Sequence, residues 1–138
     1  MKPLYPVELA RLVGVSTDTL RYYDRRGLLP NVQRSKSGYR LFPVETLNRV
    51  RLVRRALTMG FSINELTNIL RERDQGGAPC QRVRKLAAEK LVSLEAQLRE
   101  LQSRRRMLRS TLAGWDRVLS RTPRGQRANL LEAFAVGK

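Results

Sequence analysis

The side chains that could do chemistry in this chain are few and of one kind. Its 138 residues include no histidine and a single cysteine, Cys80. The commonest general base and the commonest transition-metal ligand are therefore missing, and no intramolecular disulfide can form. No glycine loop of the phosphate-cradling type is present either, so no catalytic machinery is expected and the chain reads as a binding protein. What remains is cationic and phenolic. Arg21 and Tyr22 stand together in one stretch, and Arg34, Lys36, Tyr39 and Arg40 gather in the next. Guanidinium forks take phosphate oxygens or the guanine edge two bonds at a time, ammonium groups take phosphate as point charges, and phenols donate to the backbone.

The charge says which polyanion. Twenty-eight Lys plus Arg face twelve Asp plus Glu, a formal net charge of +16, and such a surface is expected to work against nucleic acid or an anionic membrane. No apolar run approaches the ~20 residues of a spanning helix, and the N-terminal MKPLYPVELARL lacks a secretory apolar core, so no membrane partner and a cytoplasmic location are expected. A lone thiol fits a reducing compartment. Aromatic residues are only 6% of the chain, few for a protein that stacks on single-stranded bases, so double-stranded DNA is the expected partner. Charge alone does not locate the DNA-binding part. Residues 1–60 hold twelve bases and four acids, residues 61–138 sixteen and eight, a net +8 in each.

The elements that must position these residues follow in order. Pro6 suits the first turn of a helix over 6–13, with Leu9, Leu12 and Val13 expected inward and Gly14 as its stop. Ser16 is an N-cap, and Val15 before it can staple onto Leu20. A second helix to about Arg26 would put Leu20 and Tyr23 on its packing face and Asp18, Arg21, Tyr22 and Arg25 on the other. Two helices across so short a turn form a helix-turn-helix, which makes Ser16, Thr17, Arg21 and Tyr22 candidate DNA contacts. After Gly27, two short extended runs flank the turn SKSG, with Gly38 in the conformation other residues resist. Such a hairpin beside a helix-turn-helix is a wing, and Arg34, Lys36, Tyr39 and Arg40 are its candidate contacts.

Pro43 opens a third helix with Leu47, Val50, Val53 and Leu57 expected inward and Arg49, Arg51, Arg54 and Arg55 outside. Ser62 and Glu65 form a capping box for a fourth. DQGGAP is the clearest linker, and the domain boundary is placed there: residues 1–75 as a winged helix-turn-helix DNA-binding domain with a helical extension, 76–120 as linker and dimerisation helix, 121–138 as a tail. From Cys80 onward a heptad runs through Ala87, Leu91, Leu94, Leu98, Leu101, Leu108, Leu112, Trp115 and Leu119, with Arg105 interrupting it. A lone helix cannot bury that stripe, so it is expected to meet its copy in a homodimer. Ala128 to Val136 should form a docking helix of about two turns. The expected fold class is mainly α.

With these residues in place, the chain resembles the MerR family of bacterial transcriptional regulators. ELARLVGVSTDTLRYYDRRGLL, RSKSGYRLF and GFSINEL carry the likeness, which extends from residue 5 to about 120. The resemblance implies a winged helix-turn-helix followed by a long helix paired in an antiparallel coiled coil. It also implies a dimer on a pseudo-palindromic operator inside a promoter spacer, which it bends and untwists for RNA polymerase. Arg21 and Tyr22 match the family's recognition-helix positions, and Arg34, Tyr39 and Arg40 its wing.

The signal is harder to read. Cys80 stands where metal-sensing relatives keep a ligand, but those also place Cys or His after the long helix, and this chain has neither there. One thiol per chain is too few for tight metal binding, so no metal or other cofactor is expected. A helix start flanked by Arg82 and Arg84 could instead make Cys80 a redox or electrophile sensor, and a plain packing role is the bland alternative. A small apolar or cationic ligand near Trp115 is a further option, as is no ligand at all. The competing function is a basic architectural protein without sequence preference.

Overall fold

The chain, seen in a computed structural model that describes residues 2–136, is built of six helices and one short hairpin among those residues. In order they are α1 (Pro6–Val13), α2 (Thr17–Arg25), β1 (Gln33–Arg34), β2 (Arg40–Leu41), α3 (Thr46–Thr58), α4 (Ile63–Asp74), α5 (Cys80–Arg121) and α6 (Ala133–Val136). Contacts divide the chain into two compact units, Met1–Lys90 and Leu91–Lys138. The glycine linker therefore falls inside the first unit, and the early turns of α5 belong with the helices before it.

The core of the first unit is one cluster drawn from α1 to α4 and the segments between them. Leu9, Leu20, Leu28, Phe42, Val50 and Val53 are its fully buried members. Ser16 caps α2 by accepting from the Thr19 amide at 3.1 Å. Val15, Leu47 and Leu57 lie half-buried against the cluster. Ser62 and Glu65 form the expected reciprocal box at the start of α4, at 3.0 and 2.8 Å. Phe61 and Leu66, on either side of that cap, are both buried. Strands β1 and β2 pair antiparallel with Gln33 opposite Leu41 and Arg34 opposite Arg40. Leu4 extends this pairing, exchanging backbone hydrogen bonds with Phe42 at 2.7 and 2.8 Å, a contact between segments too far apart in the chain for local patterning to reveal.

Three expectations need correction. Leu12 is 52% exposed, and Ala10 takes its place inside. At 100° per residue the buried set Leu9, Ala10 and Val13 centres on one side of α1, and Leu12 falls roughly 110° away from it. Arg49 is turned inward, whereas Arg54 stays exposed yet commits one guanidinium nitrogen to the protein. Arg54 donates to the Val13 carbonyl at 2.7 Å, and Arg49 donates to the Leu28 carbonyl at 3.3 Å and pairs with Asp74. Helix ends leave carbonyls without partners and carry the negative end of the helix dipole, and a guanidinium answers both. The tail helix is also shorter than its apolar run suggested, only Ala133–Val136.

The linker needs both its glycines for different reasons. Gly76 adopts φ +89°, a left-handed backbone that side chains resist. Gly77 donates to the Glu72 carbonyl at 2.9 Å, and a Cβ there would meet the Glu72 Cγ at 2.7 Å. The reversal lays α5 beside α4, with Val83 and Leu86 against the core. Two ion pairs bind the helices, Arg82 to Glu72 at 2.6 Å and Lys90 to Glu65 at 2.8 Å.

Two measurements test these joints. Arg54→Met, which keeps the stem and removes the donor, should lower stability to urea by about 1 to 3 kcal/mol, the cost of a carbonyl left without its charged partner. The Lys90 ammonium, with the Ser62 amide, holds the Glu65 carboxyl below its ordinary value. A carboxyl depressed in the folded state contributes stability above its unfolded pKa and loses it as pH falls through the folded value. Stability should therefore decline over that acid window less steeply in Glu65→Gln than in the parent, as read from urea midpoints at successive pH values.

Candidate nucleic-acid interface

Helix α2 presents the face its spacing foretold. Leu20 and Tyr23 are buried; burial also pushes the Tyr23 hydroxyl up, against a smaller opposing pull from Arg54. On the outer side Arg21 is about half exposed and pairs with Asp18 one turn earlier, which steers the guanidinium along the helix. Tyr22 is exposed, and its hydroxyl accepts from Arg26 at 3.1 Å. The Arg26 guanidinium also lies 5.8 Å from the Tyr22 ring centre and donates to Asn64 on α4. A single arginine thus fixes the aromatic ring and ties the end of α2 to the next layer. Thr67 adds a donor to the Arg26 carbonyl at 3.2 Å. Ser16 spends its oxygen on the cap, and Thr17 begins the helix half-buried.

The wing divides into free and engaged cations. Its turn is closed by Gly38 donating to the Ser35 carbonyl at 2.9 Å and Ser35 to the Tyr39 carbonyl at 2.7 Å. Lys36 and Tyr39 stand exposed on it. Arg34 donates to the Gly38 carbonyl at 2.8 Å, bracing the turn from an exposed position. Arg40, expected alongside these as a contact, is instead half-buried and donates through Nε to Asp24 of α2 at 2.8 Å. The two partners stand sixteen residues apart on different elements, and no periodicity could have paired them. Arg26, Asn64 and Asp24 were missed for the same reason.

The remaining candidates lie elsewhere. Cys80 is the exposed first residue of α5, and its neighbour Arg82 is held by Glu72 rather than by the thiol. Among the described residues, no three His, Cys, Asp or Glu side chains gather as metal ligands. In the second unit Leu91, Leu94, Leu98, Leu101, Leu108 and Leu112 form a stripe in which each residue is more than half exposed. Trp115 differs from them, packing edge-on against Phe134 of α6 with ring centres 5.4 Å apart.

A helix-turn-helix with an exposed basic and phenolic face, a hairpin wing tied to that helix and a long helix with an apolar seam define a winged helix-turn-helix DNA-binding protein. Known proteins agree with that class. The model of the MerR helix-turn-helix family of regulatory proteins matches residues 6–73, and the MerR DNA-binding model matches residues 47–111. A mercuric resistance operon regulatory protein of Bacillus cereus is 33% identical over 101 residues, 73% of this chain and 76% of that one. Among solved structures, HiNmlR, a MerR family regulator lacking the sensor domain and bound to promoter DNA, superposes with a TM-score of 0.58. It is 26% identical, over 86% of this chain and 94% of that one. The regulator PbrR691 of Ralstonia metallidurans CH34, in complex with lead(II), gives a TM-score of 0.70 at 25% identity, over 80% and 86% of the two chains. The chain belongs to the MerR family, and it is a DNA-binding transcriptional regulator. No helix among the described residues is long and apolar enough to cross a membrane.

The division of the wing is open to a direct comparison. Lys36→Ala should leave the urea midpoint unchanged and reduce the slope of log affinity against log salt by about 0.9, the loss of one phosphate contact. Arg40→Ala should lower the urea midpoint, because it leaves Asp24 half-buried without its partner. Fluorescence anisotropy over a salt series, with unfolding curves on both variants, separates the two.

Proposed function

We propose that the chain works in the cytoplasm as a non-enzymatic homodimer that binds an interrupted palindrome within a promoter spacer and deforms it for RNA polymerase. The observation that carries this reading is the outward set on α2, Arg21 beside Tyr22, on a helix whose far end is anchored by Arg26. In this reading α2 enters the major groove, with Arg21 and Tyr22 meeting base edges and Thr17 near the backbone at the positive end of the helix. Ser16 serves by fixing where that helix starts. Arg34, Lys36 and Tyr39 clasp sugar-phosphate from the wing, and Arg40 positions the wing against α2. Residues up to 75 form the reading domain, and 76–120 hold the linker and the dimerisation helix.

The exposed stripe from Leu91 to Leu112 supports pairing with a second copy, and Trp115, which the heptad assigns to the same seam, also anchors the tail. Two heads joined in one dimer can meet a two-fold site with a mismatched spacer only by bending or untwisting it. That deformation costs several kcal/mol, which many phosphate contacts must offset.

Footprinting on promoter fragments tests the reading. Protection of an interrupted palindrome is expected, whereas protection without sequence preference would make the protein architectural. Arg21→Ala should weaken operator binding by about 1 to 3 kcal/mol and change binding to unrelated DNA little. A loss of equal size on every sequence would assign Arg21 to phosphate. Leu98→Glu should yield monomers in sedimentation and lose the operator.

A further inference from the structure

Between Leu91 and Leu112, Arg105 is the one charged residue on the apolar stripe of α5, and nothing within a single chain accounts for it. It falls four residues after Leu101 and three before Leu108, the spacing of the seam. The residues one turn away along the helix, Leu101, Gln102, Leu108 and Arg109, include no acid. Among the described residues Arg105 takes part in no ion pair. Glu95, next to Leu94, is exposed and likewise unpaired there. It shares one flank of the stripe with Gln102 and Arg109, which follow it at seven-residue intervals. On that flank Gln102, Arg105, Arg106 and Arg109 border a hollow of about 270 Å³ with no acid in its wall.

We propose that this hollow receives the carboxylate of the partner's Glu95, and that the resulting Arg105–Glu95 pair sets the register in which two copies of α5 meet. The inference deepens the homodimer reading and rests on it. When the helices lie antiparallel with Leu98 opposite the partner's Leu101, Leu91 meets the partner's Leu108 and Leu94 meets the partner's Arg105. Glu95, one residue on, then comes beside the arginine-lined hollow, and two-fold symmetry forms the contact twice. The stem of Arg105 stays on the leucines while its guanidinium reaches the flank and takes the carboxylate two bonds at a time.

Other alignments leave the seam charge unanswered. Parallel helices would set Arg105 against the partner's Arg105, and Arg104 beside the partner's Arg109. An antiparallel dimer slid by one heptad in one direction faces Glu95 with the partner's Glu95. Slid in the other direction, it joins Glu95 to the partner's Arg109 on the exposed flank, where an ion pair contributes little. That second alignment also gathers Arg104 and Arg105 of both copies at the two-fold axis with no acid on either flank. A charge at a seam position costs stability, and it selects a register when one alignment alone supplies its counter-charge.

Sedimentation equilibrium of the full chain provides the test. Glu95→Arg and Arg105→Glu should each raise the dimer dissociation constant about tenfold, because each sets like charges at both contacts of its homodimer. An equimolar mixture of the two variants should recover the parent's affinity to within about threefold, since both contacts of the mixed dimer then join opposite charges. Circular dichroism above the dissociation constant should show each variant as helical as the parent. A mixture no tighter than its components overturns the register and leaves the homodimer standing. Weakening by Glu95→Arg with none by Arg105→Glu also overturns it, and gives Glu95 to the partner's Arg109. A parent that sediments as a monomer overturns the homodimer reading itself, and the pair with it.

Discussion

The structure of the first unit depends on how the carbonyl ends of its two leading helices are satisfied. Helices α1 and α2 are short, and each ends in a turn whose carbonyls face the third and fourth helices. Arg54 takes the Val13 carbonyl, Arg49 the Leu28 carbonyl and Thr67 the Arg26 carbonyl. These bonds reach across more than twenty residues of sequence and meet the negative ends of helix dipoles. Hydrophobic packing of Leu9, Leu20 and Val53 supplies most of the driving force but is tolerant of small rotations. The directed hydrogen bonds are not, and they fix the angle at which α2 shows its outer face.

Two consequences reach the interface. Arg26 couples the Tyr22 ring to Asn64 on α4, and Arg40 couples the wing to Asp24 on α2. The cations of this region therefore work at two levels. One group, with Arg21, Lys36 and Tyr39 beside it, is open to a partner, and another holds the first in register. A basic surface on which every arginine was free would have more charge to offer DNA and less geometry, and reading a sequence requires geometry.

The same economy of acids shapes the far side of the unit. Only twelve Asp and Glu serve a chain with twenty-eight bases, and those on α4 are consumed in joining it to α3 and α5. The reversal at Gly76 and Gly77 makes those joints reachable by bringing α5 alongside α4. Charge imbalance in this protein is thus local as well as global. It leaves positive groups exposed on α2 and the wing and along α3, α4 and α5 alike.

The sequence by itself determined the local structure. Ser16 and the Ser62–Glu65 box set helix starts, Gly38 closes the wing turn, and the periodicity separates Tyr22 from Tyr23, because caps, turns and helical faces depend on residues within a few positions of one another. The long helix and its leucine stripe were legible for the same reason. Tertiary structure alone decided the roles of Arg40, Arg49 and Arg54, which by type and position looked like solvent-facing cations. Their partners, Asp24, the Leu28 carbonyl and the Val13 carbonyl, are remote in the chain and become neighbours only when the core closes. The fate of Leu12 was decided there too, since helical spacing offers a face but only packing chooses which flank of it is covered. An arginine carries the same charge in either setting, and whether it meets a protein carbonyl or remains open to a phosphate is settled by what the fold places within reach of its guanidinium.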